Sequence, residues 1–165
     1  MTDKQAKIVE LYEKVQKIPY YCLCERDPDK LLRVKKGSCL EKNAYLGRQF
    51  EQLGIPVKYL SIKFDWNELP IPQHIIDKKD GHLGEHLALK IRVKKWITVD
   101  CTWDPGLEKA GFPLTKNWDG KTDTKLAVKP IKTKQLKTRP GKTVAHANPK
   151  FFESLNKYLD NIRKG

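Results

Sequence analysis

In residues 86–103 apolar side chains fall on every second position: Leu87, Leu89, Ile91 and Val93, then Ile97, Val99, Cys101 and Trp103. A period of two is the pattern of a strand, and two such runs joined by a short polar link make a β-hairpin. Successive strand side chains point to opposite faces, so a slip of one residue would turn the whole apolar set out of the core. Burying both sets together requires odd positions to pair with odd ones. That implies a turn of odd residue count around Lys94, or a bulge. Even positions then pair with even, which puts His86, Ala88 and Asp100 on one common face. The separation of 100 − 86 = 14 residues returns the chain to the same end of the sheet.

The remaining chain supplies helices to cover that hairpin. Residues 3 to 18 carry Ala6, Ile8, Val9, Leu11, Tyr12, Val15 and Ile18 at helical spacing, which predicts an N-terminal packing helix. Residues 19–36 have no single period and read as irregular chain or a short helix plus loop, with no chemistry assigned to them. Ser38 and Glu41 form an S-x-x-E capping box, and Gly54 followed by Pro56 forms a stop, so a helix is expected between them. Leu40, Ala44, Phe50 and Leu53 are its expected buried stripe. Residues 57–64 alternate as a half-buried strand with Leu60, Ile62 and Phe64 on one face, and residues 65–84 follow as a loop able to shape a pocket rim. Residues 104–147 are rich in Lys, Thr, Pro and Gly, with one strand expected near 126–131. Asn148 as cap and Pro149 in the first turn open a last amphipathic helix carrying Phe151, Phe152, Leu155, Tyr158, Leu159 and Ile162. The expectation is a single α+β domain over 1–165.

Composition narrows the class. With 165 residues, 39% of them hydrophobic, the chain is long enough to bury a core without disulfides or metals. No apolar run reaches the ~18 to 20 residues that span a bilayer, and the first residues lack the apolar stretch of a secretory signal, so a cytoplasmic location is expected. Four cysteines, Cys22, Cys24, Cys39 and Cys101, are few for a disulfide scaffold. The net charge of +13 favours anionic partners, an acidic protein or nucleic acid among them.

Cys39 is the cysteine with a chemical setting. Only a thiolate is nucleophilic, and Ser38 as cap places Cys39 at the first helical position, where unpaired N–H groups and the helix dipole favour negative charge. Lys35 and Lys36 precede it. A thiol nucleophile also needs a base and a group that orients the base. His86 and Asp100 have those residue types on one face. Cys101 falls on the core face by parity and reads as packing.

Gly37-Ser38-Cys39 opening a helix that ends at Leu53-Gly54-Ile55-Pro56, then His86 opening a strand, then Trp96-Ile97-Thr98-Val99-Asp100-Cys101-Thr102-Trp103, resemble the transglutaminase-like superfamily over about residues 36 to 104. The resemblance implies a papain-like core with Cys on a helix packed against an antiparallel sheet that carries His and Asp. Lys36-Gly37-Ser38-Cys39-Leu40-Glu41-Lys42-Asn43 is also similar to the Arg-Gly-Gly-x-Cys-x-Glu-x-Asn segment of arylamine N-acetyltransferases, with Lys36 in place of Arg and Ser38 in place of the second Gly. Transglutaminases usually follow the His with a small and then an aromatic residue, whereas Leu87-Ala88 stand here.

The expected activity is therefore hydrolysis or acyl transfer at acyl or amide carbon, through a Cys39 thioester with His86 as base and Asp100 orienting it. The Cys39 N–H is an expected oxyanion donor, with the second donor unidentified. Substrates would be a protein, a peptide or a small amide, with no membrane partner, cofactor or metal implied. Two alternatives stand beside this. One is a binding module that uses its basic surface without catalysis. The other is a zinc metalloprotease through His82-Leu83-Gly84-Glu85-His86, an H-x-x-E-H pattern that needs a helix. Asp104 shares the parity of Asp100 and is its rival, Glu41 has its work in the cap, Asn43 is read as a tie between helix and loop, and His74 and His146 have no context. Trp96, Trp103 and Trp118 are expected in the core or as pocket walls.

Overall fold

The computed structural model describes residues 1–144 and 148–165; His146, and Ala147 at the end of the expected loop, lie outside the described residues. The fold is α+β. In chain order it runs α1 (Asp3–Gln16), β1 (Glu25–Arg26), α2 (Leu31–Val34), α3 (Cys39–Gln52), β2 (Val57–Asp65), α4 (Gln73–Ile76), β3 (Leu83–Arg92), β4 (Trp96–Val99), β5 (Lys132–Gln135), β6 (Thr143–Val144) and α5 (Pro149–Lys164). Four strands form one antiparallel sheet in the order β4-β3-β2-β5, and β1 pairs with β6 in a separate two-stranded ribbon.

The hairpin adopts the parity that its apolar pattern demands. Leu89 pairs with Val99 and Ile91 with Ile97, odd against odd, and a Val93 N–H to Lys95 C=O bond of 3.2 Å closes the turn. The first strand starts at Leu83, so His86 lies inside it rather than opening it, and the preceding loop ends two residues earlier than expected. Gly84 pairs with Phe64 in the ladder, which the loop reading of residues 65–84 did not anticipate.

Both faces of the sheet are covered. On the odd face Leu87, Leu89, Ile91, Ile97 and Val99 pack with Ile8 and Tyr12 of α1 and Phe50 of α3. On the even face Leu60, Ile62, Phe64 and Ala88 pack with Phe151, Leu155 and Leu159 of α5. The alternation in β2 reflects two different apolar layers rather than one layer and solvent. Tyr59, expected to face water, is buried against α3.

The expected stripe of α3 needs revision. Ala44 and Phe50 are buried, but Leu40 and Leu53 are only half-buried, while Lys42 and Asn43 are fully buried. A buried ammonium is tolerated only when its donors are satisfied. Lys42 Nζ donates to the carbonyls of Gln16 (3.1 Å), Ile18 (2.6 Å) and Thr102 (2.7 Å), pinning α3 to the end of α1 and to the segment after β4. The polar stripe is thus a set of inter-element ties, which hydrophobic periodicity does not detect.

Residues 126–131 are not a strand; the short strand lies at 132–135, where the chain returns along β2. Among the tryptophans, Trp118 is buried against Tyr12 with ring centroids 4.8 Å apart, and Trp103 is buried beside Tyr20. Trp96 is neither core nor pocket wall. It sits partly exposed on β4 with Lys58 Nζ 4.1 Å from its ring centroid, an arrangement worth about 0.5–1 kcal/mol at an exposed site.

Gly47 of α3 lies beneath Tyr59, where a Cβ would come 2.7 Å from the ring. Gly47→Ala gains about 1 kcal/mol of helix propensity but incurs an overpacking cost of about 1–3 kcal/mol. The expected net is a loss of stability of about 1 kcal/mol, read by urea unfolding, and recovered in the Tyr59→Leu background. A stabilised Gly47→Ala protein would show that α3 and β2 are not in this close approach.

Candidate active site

The first turn of α3 is built by its cap. Ser38 is extended (φ −84°, ψ −175°), its Oγ accepts from the Leu40 N–H at 3.3 Å, and Glu41 Oε2 accepts from the Ser38 N–H and from Ser38 Oγ at 2.7 Å. This is the expected capping box, and it fixes Cys39 as the first helical residue. The Cys39 N–H is one of the donors that a helix start leaves without an intrahelical partner.

Cys39 and His86 line one small cavity of about 30 Å³, together with Tyr20, Cys22, Arg26 and Trp66 among others. The imidazole and the thiol share this cavity, close enough for the charge of each to act on the other. On its other side His86 Nε2 lies 2.7 Å from Asp100 Oδ2, which leaves Nδ1 as the nitrogen for the thiol. Cys39, His86 and Asp100 are therefore brought together, with the Asp100 side chain wholly excluded from solvent.

A carboxylate so deeply buried is costly unless its lone pairs are filled. Asp100 Oδ2 also accepts from the Ala127 N–H at 2.9 Å. Its Oδ1 accepts from Asn43 Nδ2 (3.2 Å), the Thr102 N–H (3.1 Å) and the Thr102 hydroxyl. Asn43 donates further to the Leu87 carbonyl at 2.9 Å and accepts the Cys101 N–H at 3.1 Å, so one residue of α3 ties that helix to β3 and to the segment after β4. The rival carboxylate, Asp104, is occupied by the Tyr20 N–H at 2.8 Å and by two 2.8 Å bonds from Arg163.

Burial alone would push the Cys39 thiol up; the charge and hydrogen bond of His86, the Leu87 N–H and the Arg26 guanidinium outweigh it and bring the thiol below its ordinary value. Burial likewise opposes the charged form of His86, but Asp100 and Cys39 push the imidazole up to about 10. Burial would raise Asp100 too, and the imidazolium and hydrogen bonds hold it below the usual carboxylate range. The balance shifts the pair towards thiolate and imidazolium. Burial pushes the thiols of Cys22 and Cys101 up to about 12, the opposite environment to that of Cys39.

Three residues of the cavity region carry no signal strong enough to find them in sequence. Asn43 stands four residues after Cys39 on the same helix face, a spacing that hints at a shared direction but not at its partner. Trp66 Nε1 is a buried donor with no acceptor among the described residues. It stands over Gly84, where a Cβ would approach to 2.6 Å, so glycine is required there to admit the indole. Arg26 comes from the 19–36 segment, where no chemistry was expected.

The H-x-x-E-H segment lacks the helix that a zinc protease of that type requires. Leu83–Arg92 is strand, and His82 pairs instead with Asp65 at 2.8 Å on the surface. No family model, curated protein or solved structure matches the chain.

Because the Cys39 thiol is lowered, its alkylation by iodoacetamide should rise with pH through an inflection below the ordinary value and stay level until His86 loses its proton near 10. Asp100→Asn removes the charge that raises His86, so the imidazole is neutral at lower pH and the thiol inflection moves up. Mass spectrometry of alkylated Cys39 against pH checks this. An unmoved inflection in a folded Asp100→Asn protein would contradict the coupling.

Proposed function

We propose that the chain is a transglutaminase-like cysteine enzyme that acts on acyl or amide groups through a thioester on Cys39. The observation that carries this reading is the single cavity holding Cys39 and His86, with the His86–Asp100 bond of 2.7 Å behind it. A nucleophile helix starting at the thiol and lying against an antiparallel sheet that carries the base and its orienting carboxylate supports a transglutaminase-like core.

In the first half-reaction the Cys39 thiolate attacks the carbonyl carbon, and the C=O electrons move onto oxygen. The Cys39 N–H and the unpartnered Trp66 indole N–H supply two donors for that oxyanion. His86 gives its proton to the leaving amine as the C–N bond breaks, leaving the thioester. In the second half-reaction neutral His86 takes a proton from water or an amine as it attacks, and Cys39 is released as thiolate. Asp100 holds the imidazole orientation throughout. Water as acceptor gives hydrolysis and an amine gives transfer.

Iodoacetamide near neutral pH should modify Cys39 faster than exposed Cys24 and much faster than Cys22 and Cys101. His86→Ala should slow it, since each unit by which the thiol pKa rises removes about a factor of ten from the thiolate fraction. On a panel of glutamine-containing and peptide amides with water or amine acceptors, Cys39→Ser should lower kcat/KM by at least about 10³-fold. Uniform labelling of all four thiols would overturn the reading.

A second reading, a basic binding module, is favoured by one specific observation. A groove of about 770 Å³ is lined by Lys4, Arg92, Lys94, Lys95 and Lys121 over Ile8 and contains no acidic lining residue; none of the five cations is ion-paired among the described residues. Arg92 lies six residues beyond His86 on β3, about 20 Å at the rise of a strand, so this groove is separate from the thiol. Binding of a single-stranded oligonucleotide or an acidic peptide should weaken with salt and on charge reversal of Lys94, Lys95 and Lys121, and should be unaffected by Cys39→Ser. Binding that ignores the charge reversal would remove this reading.

A further inference from the structure

The cavity wall contains a cation to which the thioester chemistry assigns no contact with the substrate. Arg26 ends β1, held there by the pairing of Glu25 with Val144 and of Arg26 with Thr143. Its Nε donates to the Leu23 carbonyl at 3.3 Å, and its guanidinium carbon lies 5.5 Å from the centre of the Phe152 ring. The side chain is thereby aimed and half-buried at the cavity. No carboxylate lies within 4 Å of it among the described residues, and neither Nη group has a protein acceptor there.

That isolation sets Arg26 apart. Arg48 is paired with Asp29, Arg139 with Glu51, and Arg163 with Asp104 and Asp160, whereas unpaired Arg33 and Arg92 are exposed. Two carboxylates stand near the cavity and neither satisfies Arg26. Glu41 Oε2 is taken by Ser38 and its buried Oε1, though unpartnered, lies beyond 4 Å of the guanidinium, and Glu85 turns to Ser61 Oγ at 3.3 Å. Arg26 adds to the field that lowers the thiol, but His86 and the Leu87 N–H come before it in that role. A planar guanidinium with an open fork, lying over an aromatic ring, matches the two oxygens of a carboxylate. The small volume beside the sulfur leaves space for little beyond the acyl end of a ligand.

Building on the cysteine-enzyme reading, we propose that Arg26 is a carboxylate anchor, and that the enzyme takes small amides or esters bearing a free carboxylate a short reach from the scissile carbonyl. Such a donor is held by two N–H···O bonds at one end while its carbonyl carbon meets Cys39 at the other. The reacting bonds are those given above: S–C forms, C–N or C–O breaks, the His86 proton leaves with the amine or alcohol, and the anchored carboxylate is unchanged. Binding at the anchor converts substrate charge into orientation at the sulfur.

Iodoacetate and iodoacetamide test this directly, because they share the reacting carbon and leaving group and differ in carboxylate against amide. The ratio of their rate constants at Cys39, divided by the same ratio for N-acetylcysteine at equal ionic strength, should be about tenfold or more in the wild type. It should fall by about tenfold in Arg26→Met and lie between the two in Arg26→Lys, which keeps the charge and loses the fork. Attraction by the overall charge or by His86 would leave the ratio unchanged in both variants, and that result overturns the anchor while sparing the nucleophile. Should Arg26→Met fail to fold, a wild-type ratio in Arg26→Lys overturns it. Slow, equal alkylation of every thiol by both reagents would instead refute the cysteine-enzyme reading. The anchor is then decided by glutarate titration of the Cys39→Ala protein, where saturable binding weakened about tenfold by Arg26→Met is expected and no binding overturns it.

Discussion

The carboxylate of Asp100 is the point on which the site and much of the fold depend. It receives the imidazole from β3, the Asn43 amide from α3, the Thr102 amide and hydroxyl from the segment after β4, and the Ala127 amide from the long C-terminal loop. A buried anion without these partners would destabilise the protein by several kcal/mol. With them it becomes a common node that joins its own segment to three stretches distant in sequence, at Asn43, His86 and Ala127. The charge that selects the imidazolium is therefore also the charge that docks α3 onto the hairpin, so chemistry and architecture cannot be altered separately at this position.

How far this was legible in the sequence depended on whether the signal was periodic. The β3–β4 register followed from alternation alone, because any other pairing would expose Leu87, Leu89 and Ile91. The start of α3 followed from Ser38 and Glu41, because capping is a local event set by two side chains and the first-turn N–H groups. Together these put His86 and Asp100 on one face and Cys39 at a helix start, whereas the meeting of the thiol with that face was implied only by the resemblance to the transglutaminase-like superfamily. The buried role of Lys42 and Asn43 was not legible, since a polar residue on a helix reveals nothing of the carbonyls and amides that will meet it from elsewhere. The same holds for Trp66 and Arg26, which reach the cavity from segments without a regular period. Residues 126–131 misled for a related reason. Apolar side chains there fill the layer beneath α5 and the Ala127 N–H serves Asp100, so a strand-like composition is spent on loop contacts.

The two apolar layers give the cavity its rigidity. Cys39 packs with the layer of α1 and α3, whereas Trp66 and Cys22 pack with the layer of α5. The thiol and the groups around it are thus contributed by separate cores that meet at the end of β3. Neither layer can loosen without changing the distance across the cavity. Close-packed interiors respond to such changes in discrete steps rather than by gradual yielding. Gly84 contributes to the same closeness, since its missing side chain is what lets the Trp66 indole lie over the ladder.

The two margins of the main sheet end in different ways. Along β4 the amide and carbonyl of Thr98 are already engaged, by the Asp123 carboxylate at 2.8 Å and the Thr124 amide at 3.0 Å, so that border is sealed by the chain itself. Along β5 all four residues are exposed, and Lys132 and Lys134 occupy alternate positions of the open rim. Ammonium groups at that spacing make the addition of a further strand electrostatically unfavourable. The sheet thus stops growing at one side because its hydrogen bonds are used up, and at the other because a second copy would bring like charges face to face.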